Sequence, residues 1–435
     1  MVPDGHNVAA ADLGRIDGPV DLLVDGIGQL CTLDRAEDGR AGPRRGRALG
    51  DPGIVENAAL AVDGGRVVAY GPSGSFAELA AKATLRVDGA CVVPGFVDPH
   101  THAVYGRTRQ DEYERRLRGE TYLEIAAAGG GIHASVRDLR ERDEDELVAM
   151  TVPRLREALA SGTTTIEIKS GYGLSADDEI KMLRAARRAA DEAGLRAVLT
   201  CLAAHEIPAE FRDRRGDYVD LVCEEILPRV AQEGLAERLD VFCEPSVFDL
   251  AETERILARG LELGLRATVH ADELEPFGGA VLAARLGAGS ADHLIKIDAA
   301  GIAALADSTT VAVLLPGTVF TLGLRDYAPA REMIAAGAAV ALATDYNPGS
   351  SPISSVPLVM AIACTQMRLS PAEALAATTD NAAWALGLGG EVGVLAPGRP
   401  ADFLVLDVDD YRLVPYHAGR NPVRAVFRDG KRVVG

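Results

Sequence analysis

From residue 94 to about residue 389, short apolar runs alternate with helical stretches, and this alternation limits the fold more than any other feature of the chain. Phe96–Val97, Thr163–Ile168, Leu195–Leu202, Leu239–Cys243, Leu265–Val269, Ser290–His293, Val311–Leu315 and Ala338–Ala343 read as strands. Asp177–Ala193, preceded by Ser175 as N-cap, has helical spacing, as do Ala251–Leu263 and Gly278–Leu286. Tyr218–Glu237 is expected to be helical up to a break at Pro228. Pro357–Arg368 and Pro371–Leu386 also read as helices. Strands that are apolar along their length, each followed by a helix, imply a parallel sheet covered on both sides. Eight such units predict an α/β protein built on a (β/α)8 TIM-like barrel.

The flanks have a different character. Asp21–Asp25, Ala59–Asp63, Arg66–Tyr70 and Thr84–Asp88 read as short strands, with a hairpin turn at Asp63-Gly64-Gly65. After Leu388 the chain reads as a turn and strand over Gly393–Leu406. A last hairpin follows, in which Pro422–Phe427 and Arg432–Val434 flank Asp429-Gly430. The simplest arrangement is a small β-sandwich domain built from both termini, residues 1–93 and 390–435, with the barrel, 94–389, inserted. Residues 1–20 read as a loose tail with a solvated His6, and 35–54, rich in Arg, Gly, Asp and Pro, as a mobile surface loop. His417 reads as structural.

Composition restricts the partners. A formal charge of -19 argues against nucleic acid or an anionic membrane surface as a partner, and its ordinary reading is solubility. The six cysteines are scattered, with no C-x-x-C, which predicts free thiols in a reducing, cytoplasmic compartment. No basic and apolar leader opens the chain, and no apolar run approaches the ~20 residues that span a bilayer.

In a parallel barrel, chemistry sits at the C-terminal ends of the strands. The predicted strands end in His100 and His102, in Lys169 to Tyr172, in His205, in Glu244, in His270 with Glu273 three residues on, in His293, and in Asp345 followed by Asn347-Pro-Gly-Ser350. Singly, each has an ordinary reading: His270 as a core histidine, Lys169 as the partner of Glu167, Tyr172 as a turn aromatic. Together they hold five of the chain's eight histidines on one rim. His100 and His102, two apart in extended chain, face one point. Three imidazoles and a carboxylate suit Zn2+ or Fe better than Ca2+ or Mg2+, which prefer all-oxygen shells. Glu273 is placed to move a proton, and His293 to orient water or stabilise charge.

These residues resemble the amidohydrolase superfamily. The likeness rests on Pro94–His102, Arg109–Tyr113, Ala126–Ile132, Glu167–Leu174, Ala204-His205, His270–Glu273, Ser290–His293 and Ala343–Asp345. Lys169-Ser-Gly-Tyr-Gly with Arg109 is similar to the branch that opens the ring amide of 4-imidazolone-5-propanoate to N-formimidoyl-L-glutamate. The resemblance implies that His100, His102, His270 and Asp345 hold one Zn2+ or Fe ion. It implies Glu273, His293 and Asp345 as catalytic groups, leaving open whether Glu273 or Asp345 first takes the water's proton. It implies Arg109, Tyr172, His205, Glu273, Asn347, Gly349 and Ser350 as substrate-binding residues, and a homodimer. A single ion is expected because Lys169 ends the second strand while the fourth offers Glu244. A guanidinium suits the substrate's carboxylate. Ser350 stands where threonine is expected, and the Tyr346 ring could narrow the pocket. Two other readings compete: a deaminase of aminated bases with the same metal ligands, and a non-catalytic scaffold member.

Overall fold

The computed structural model describes residues 16, 18–35, 42–121, 124–125 and 128–435. The tail with His6, residues 36–41, and residues 126–127 of the glycine-rich motif lie outside the described residues.

Five strands come first: β1 (Val20–Cys31), β2 (Ile54–Asp63), β3 (Arg66–Pro72), β4 (Ala81–Arg86) and β5 (Cys91–Pro94). The turn joining β2 to β3 has Gly64 and Gly65 at φ 56° and 76°. Two successive positive φ values make the turn that matches strand twist in a two-residue hairpin, as Asp-Gly-Gly predicted. Eight strands follow: β6 (Phe96–Asp98), β7 (Thr163–Lys169), β8 (Arg196–Ala204), β9 (Arg238–Cys243), β10 (Arg266–Ala271), β11 (Ser290–His293), β12 (Val311–Leu314) and β13 (Val340–Leu342). Each is parallel to the next. The first and last meet just beyond their ends. Thr344 donates to the Asp98 carboxylate from its backbone N (3.0 Å) and its Oγ1 (2.6 Å). Asp345 N donates to His100 O at 3.1 Å and His102 N to Tyr346 O at 2.9 Å. The eight-stranded barrel is as expected.

β14 (Phe403–Leu406), β15 (Val423–Arg428) and β16 (Lys431–Val434) return to the first group. The terminal strands form one mixed sheet in the order β16-β15-β14-β5-β1-β2-β3, rather than two separate layers. β4 and β5 share the same edge of β1, β4 along Val20–Asp25 and β5 along Gln29–Leu30. The sheet thereby wraps one core of Val24, Ile27, Leu60, Tyr70, Val92, Phe403 and Phe427. The Phe403 and Phe427 rings stack at 4.3 Å.

Two expectations are corrected. The helix expected to break at Pro228 starts earlier, at Arg215, and continues to Gln232, with a π turn over Val222–Ile226. Proline lacks an N–H and crowds the carbonyl four residues back. The widened turn just before it shifts the hydrogen-bond register and lets the helix pass. The described part of 35–54 is also no mobile surface loop. Arg44 is buried and its Nε pairs with Asp380 Oδ2 at 2.8 Å. Arg45 Nη1 donates to Ala306 O (3.0 Å) and Gly337 O (2.8 Å), ahead of β12 and β13. Backbone carbonyls at that end of the barrel need donors, and Arg45 supplies them. No described helix is long and apolar enough to cross a membrane.

Candidate active site

Because all barrel strands run the same way, their last residues share one rim. His100 and His102 follow β6, His270 lies in β10, His293 closes β11, and Asp345 follows β13. His100 Nε2 is 3.3 Å from His102 Nε2, and each is 3.5 Å from Asp345 Oδ1. Ligand atoms on a tetrahedron with bonds of about 2.1 Å sit about 3.4 Å apart. Ring nitrogens of His100, His102 and His270 lie within 4.8 Å of one another, as do ligand atoms of His100, His293 and Asp345. Both ring nitrogens of His293 are buried without a hydrogen-bond partner among the described residues. Spacing, donor chemistry and orphaned nitrogens all fit a cation.

The electrostatics suit this role. Burial, then the Lys169 ammonium, holds His100 well below the usual imidazole range; burial, then His205, does the same for His102. Neutral imidazoles are the form that binds metal. Burial pushes Asp345 up to about 6, against a hydrogen bond from Thr318 Oγ1 to its other oxygen. Burial, then the Asp345 charge, pushes Glu273 up to about 8. Such a carboxyl exchanges a proton near neutrality. Glu273 Oε1 lies 3.4 Å from His293 Nδ1. His293 and Asp345 have φ of 74° and 54°, a region costly for residues with a side chain.

The loop carrying Glu273 is tied down from two sides. Glu244 Oε1 accepts from the N–H groups of Glu273 (2.7 Å) and Leu274 (3.0 Å). Asp272 Oδ1 accepts from Phe277 N at 2.8 Å and Gly278 N at 2.7 Å, and its Oδ2 from Ala280 N at 2.9 Å. Glu244 ends its strand as predicted, and its visible work is to hold this loop.

Of the residues expected to bind substrate, His205 and Tyr172 lie beside the His102 ring, and Asn347 is bonded to the Asp345 backbone. The His205 ring stacks on His102 at 5.1 Å, and its Nδ1 is 3.0 Å from Gly171 O. Burial pushes His205 down to about 3. Tyr172 is buried 5.5 Å from the His205 ring and 6.1 Å from that of His102. Arg109 pairs through Nε and Nη2 with Glu112 Oε2, at 3.0 and 2.6 Å. Its Nη1 lies over Gly349, so close that a Cβ there would come within 2.3 Å. Asn347 builds the loop: Nδ2 donates to Asp345 O (2.7 Å) and Ser350 Oγ (2.9 Å), while Oδ1 accepts from Gly349 N (2.8 Å). The Tyr346 ring packs at 6.2 Å against Tyr105, which in turn lies under the Arg154 guanidinium.

Sequence reasoning missed the layer beneath. Asp292 Oδ2 lies 2.7 Å from His100 Nδ1, and Asp240 Oδ2 lies 2.8 Å from His270 Nδ1. The available signal was a carboxylate inside an apolar strand, Asp240 between Leu239 and Val241, and Asp292 in Ser290–His293.

A barrel with this rim is the architecture of metal-dependent hydrolases, and residues 91–433 match the amidohydrolase family. The chain belongs to the amidohydrolase family, and within it to the imidazolonepropionases. It is 48% identical to the imidazolonepropionase of Symbiobacterium thermophilum over 96% of this chain and 98% of that one. Identity is 48% to that of Solibacter usitatus (93% and 96% covered) and 46% to that of Geobacillus kaustophilus (95% and 98%). Among solved structures, a zinc-bound adenosine deaminase from Xanthomonas campestris aligns with TM-score 0.70 at 20% identity, covering 96% of this chain and 93% of that one. The 5-methylcytosine deaminase of Klebsiella pneumoniae aligns with TM-score 0.71 at 17% identity, covering 95% and 97%. At these identities the structures share the fold. The site is that of a single-ion centre.

Proposed function

We infer that this chain hydrolyses the ring amide of 4-imidazolone-5-propanoate to N-formimidoyl-L-glutamate, a step of histidine degradation. The likeness to imidazolonepropionases along nearly the full length of both chains carries this reading. The rim accounts for the chemistry. We propose His100, His102, His270 and Asp345 as ligands of one Zn2+ or Fe ion; three nitrogens and one oxygen support either metal. When bound, such an ion makes water a nucleophile at neutral pH.

The chain's own groups do the rest. Water adds oxygen to the ring carbonyl carbon, the carbon–nitrogen bond breaks, and the nitrogen gains a proton. Glu273, buried beside His293, takes the proton from water and returns it to the leaving nitrogen. Asp345, as a ligand, stays anionic and holds its position through Thr318. His293, whose ring nitrogen lies within 4.8 Å of ligand atoms of His100 and Asp345, stabilises charge on the carbonyl oxygen. Arg109 and Tyr172 receive the propanoate, with His205 beside them. Gly349 leaves room for the guanidinium, and Asn347 and Ser350 shape the loop that meets the substrate. Six unpaired cysteines support a cytoplasmic setting. A homodimer, carried over from the family resemblance, is tested by sedimentation.

The decisive assay follows loss of imidazolonepropionate by purified protein, with and without a chelator. Turnover that stops on chelation and returns with Zn2+ or Fe2+ is expected. Ammonia release from aminated bases, with imidazolonepropionate untouched, would replace this reading with a deaminase. Protein that binds no metal and turns over neither substrate would be the scaffold.

A further inference from the structure

Below the rim, wholly buried, lies the Lys169 ammonium. Its Nζ is 2.8 Å from Glu167 Oε1, 2.8 Å from Asp240 Oδ2 and 3.7 Å from Asp292 Oδ2. Glu167 is further engaged by Thr200 Oγ1, with Arg238 Nε 4.0 Å away. Asp240 and Asp292 are the two carboxylates behind His270 and His100. One cation therefore stands behind two of the three imidazoles that line the centre, by two separate arms. No such carboxylate backs His102, and at His270 the 2.8 Å contact with Asp240 is an ion pair without hydrogen-bond geometry.

We propose that Lys169 is a positioning residue for the metal centre, holding Asp240 and Asp292 so that His270 and His100 each present Nε2 to the ion. The proposal rests on reading the rim as a metal site. Its physics is that of outer-shell tuning. A carboxylate accepts the Nδ1 proton of a ligating imidazole, fixing both tautomer and ring orientation. An ionised carboxylate only accepts, so it selects that tautomer. Two such carboxylates crowded beside Glu167 repel one another, and each can relieve the crowding by turning away from its imidazole. The ammonium between them removes that incentive.

A second view of the same contacts gives the opposite result. If Lys169 acted only as a local positive charge near the ion, removing it would tighten metal binding. If it served only to let the chain fold, its removal would lower stability and leave metal affinity alone. The experiment is a competition titration of metal-free protein with Zn2+ against a chromogenic chelator, with thermal unfolding of the metal-free form in parallel. Wild type is expected to take up one Zn2+ per chain; failure there would overturn the metal reading itself. Lys169→Met is expected to weaken Zn2+ binding roughly 10- to 100-fold, the usual effect of losing an outer-shell partner. In an Asp240→Asn, Asp292→Asn background the same substitution is expected to add little. Lys169→Arg keeps the charge inside the fold, so it covers the case where the methionine variant does not fold. Its rigid fork displaces the charge from the carboxylates, and a loss of about fivefold or more is expected. Zn2+ affinity within twofold of wild type, or tighter, in whichever variant folds overturns the proposal.

Discussion

At the scale of single residues, the proposed mechanism divides the work between Glu273 for bond-making and Arg109 for binding. Glu273→Gln is expected to lower kcat by roughly 100- to 10,000-fold, the range for a proton-transfer group, with bound metal unchanged by elemental analysis. Arg109→Met removes a charged hydrogen-bond donor from the carboxylate. KM is expected to rise roughly 10- to 100-fold while kcat stays within a few-fold. A variant with wild-type KM would remove Arg109 from the substrate site. The thiols carry a third prediction. Burial pushes Cys201 and Cys243 up to about 12 and Cys364 up to about 11, and Cys31 and Cys223 are raised too. Thiolate is the reactive form. A disulfide reagent at pH 8 is expected to spare the native protein's buried cysteines and to label all six only after unfolding. The rim residues were legible because each ends an apolar strand run. Asp240, Asp292 and the pairing of Lys169 with them were not, because their meaning lies in which strands become neighbours.

At the scale of elements, the loops after β10 and β13 position the chemistry, and both are held by side-chain carbonyl and carboxylate oxygens. Asp272→Ala strips acceptors from the backbone donors of residues 277, 278 and 280. A cost on the order of 2–4 kcal/mol is expected, read as a lower thermal midpoint, with kcat reduced because Glu273 follows directly. Gly349→Ala would place a methyl group against Arg109 Nη1 and is expected to raise KM more than it lowers kcat. Equal kinetics for the alanine variant would show that this contact yields freely. Most strand positions and the helices after β7, β9 and β10 were readable from apolar periodicity, down to the hairpin at Gly64-Gly65. The helix through Pro228 was not, since a π turn is a local register choice that no residue type announces. Arg44 and Arg45 were misread for a related reason. In a stretch rich in glycine and aspartate they look solvated, but their partners include a carboxylate and several carbonyls more than 250 residues away.

At the scale of the whole molecule, the terminal sheet and the barrel share apolar contacts. Cys91, Val93, Leu404, Leu406 and Val426 pack into the same buried cluster as the barrel's helices. Arg196 of β8 pairs with Asp402 and with Asp429. We propose the division into residues 1–93 with 390–435 and residues 94–389, the second leaning on the first. A fragment 94–389 is expected to aggregate when produced alone, because those apolar faces lose their cover. A soluble, metal-binding fragment would show that the barrel stands by itself. The composite arrangement was readable from the shared β character of the two ends, whereas the single wrapped sheet, forked on β1, was not. The closure between β6 and β13 has one more consequence. His100 and His102 are made early in synthesis and Asp345 late, and hydrogen bonds between these same segments shut the barrel. A nascent chain that has passed His270 owns three imidazoles yet has no enclosed centre. In the proposed metal site the last ligand therefore arrives with the strand that shuts the barrel, so the centre is enclosed only in a chain whose β6 and β13 ends have met.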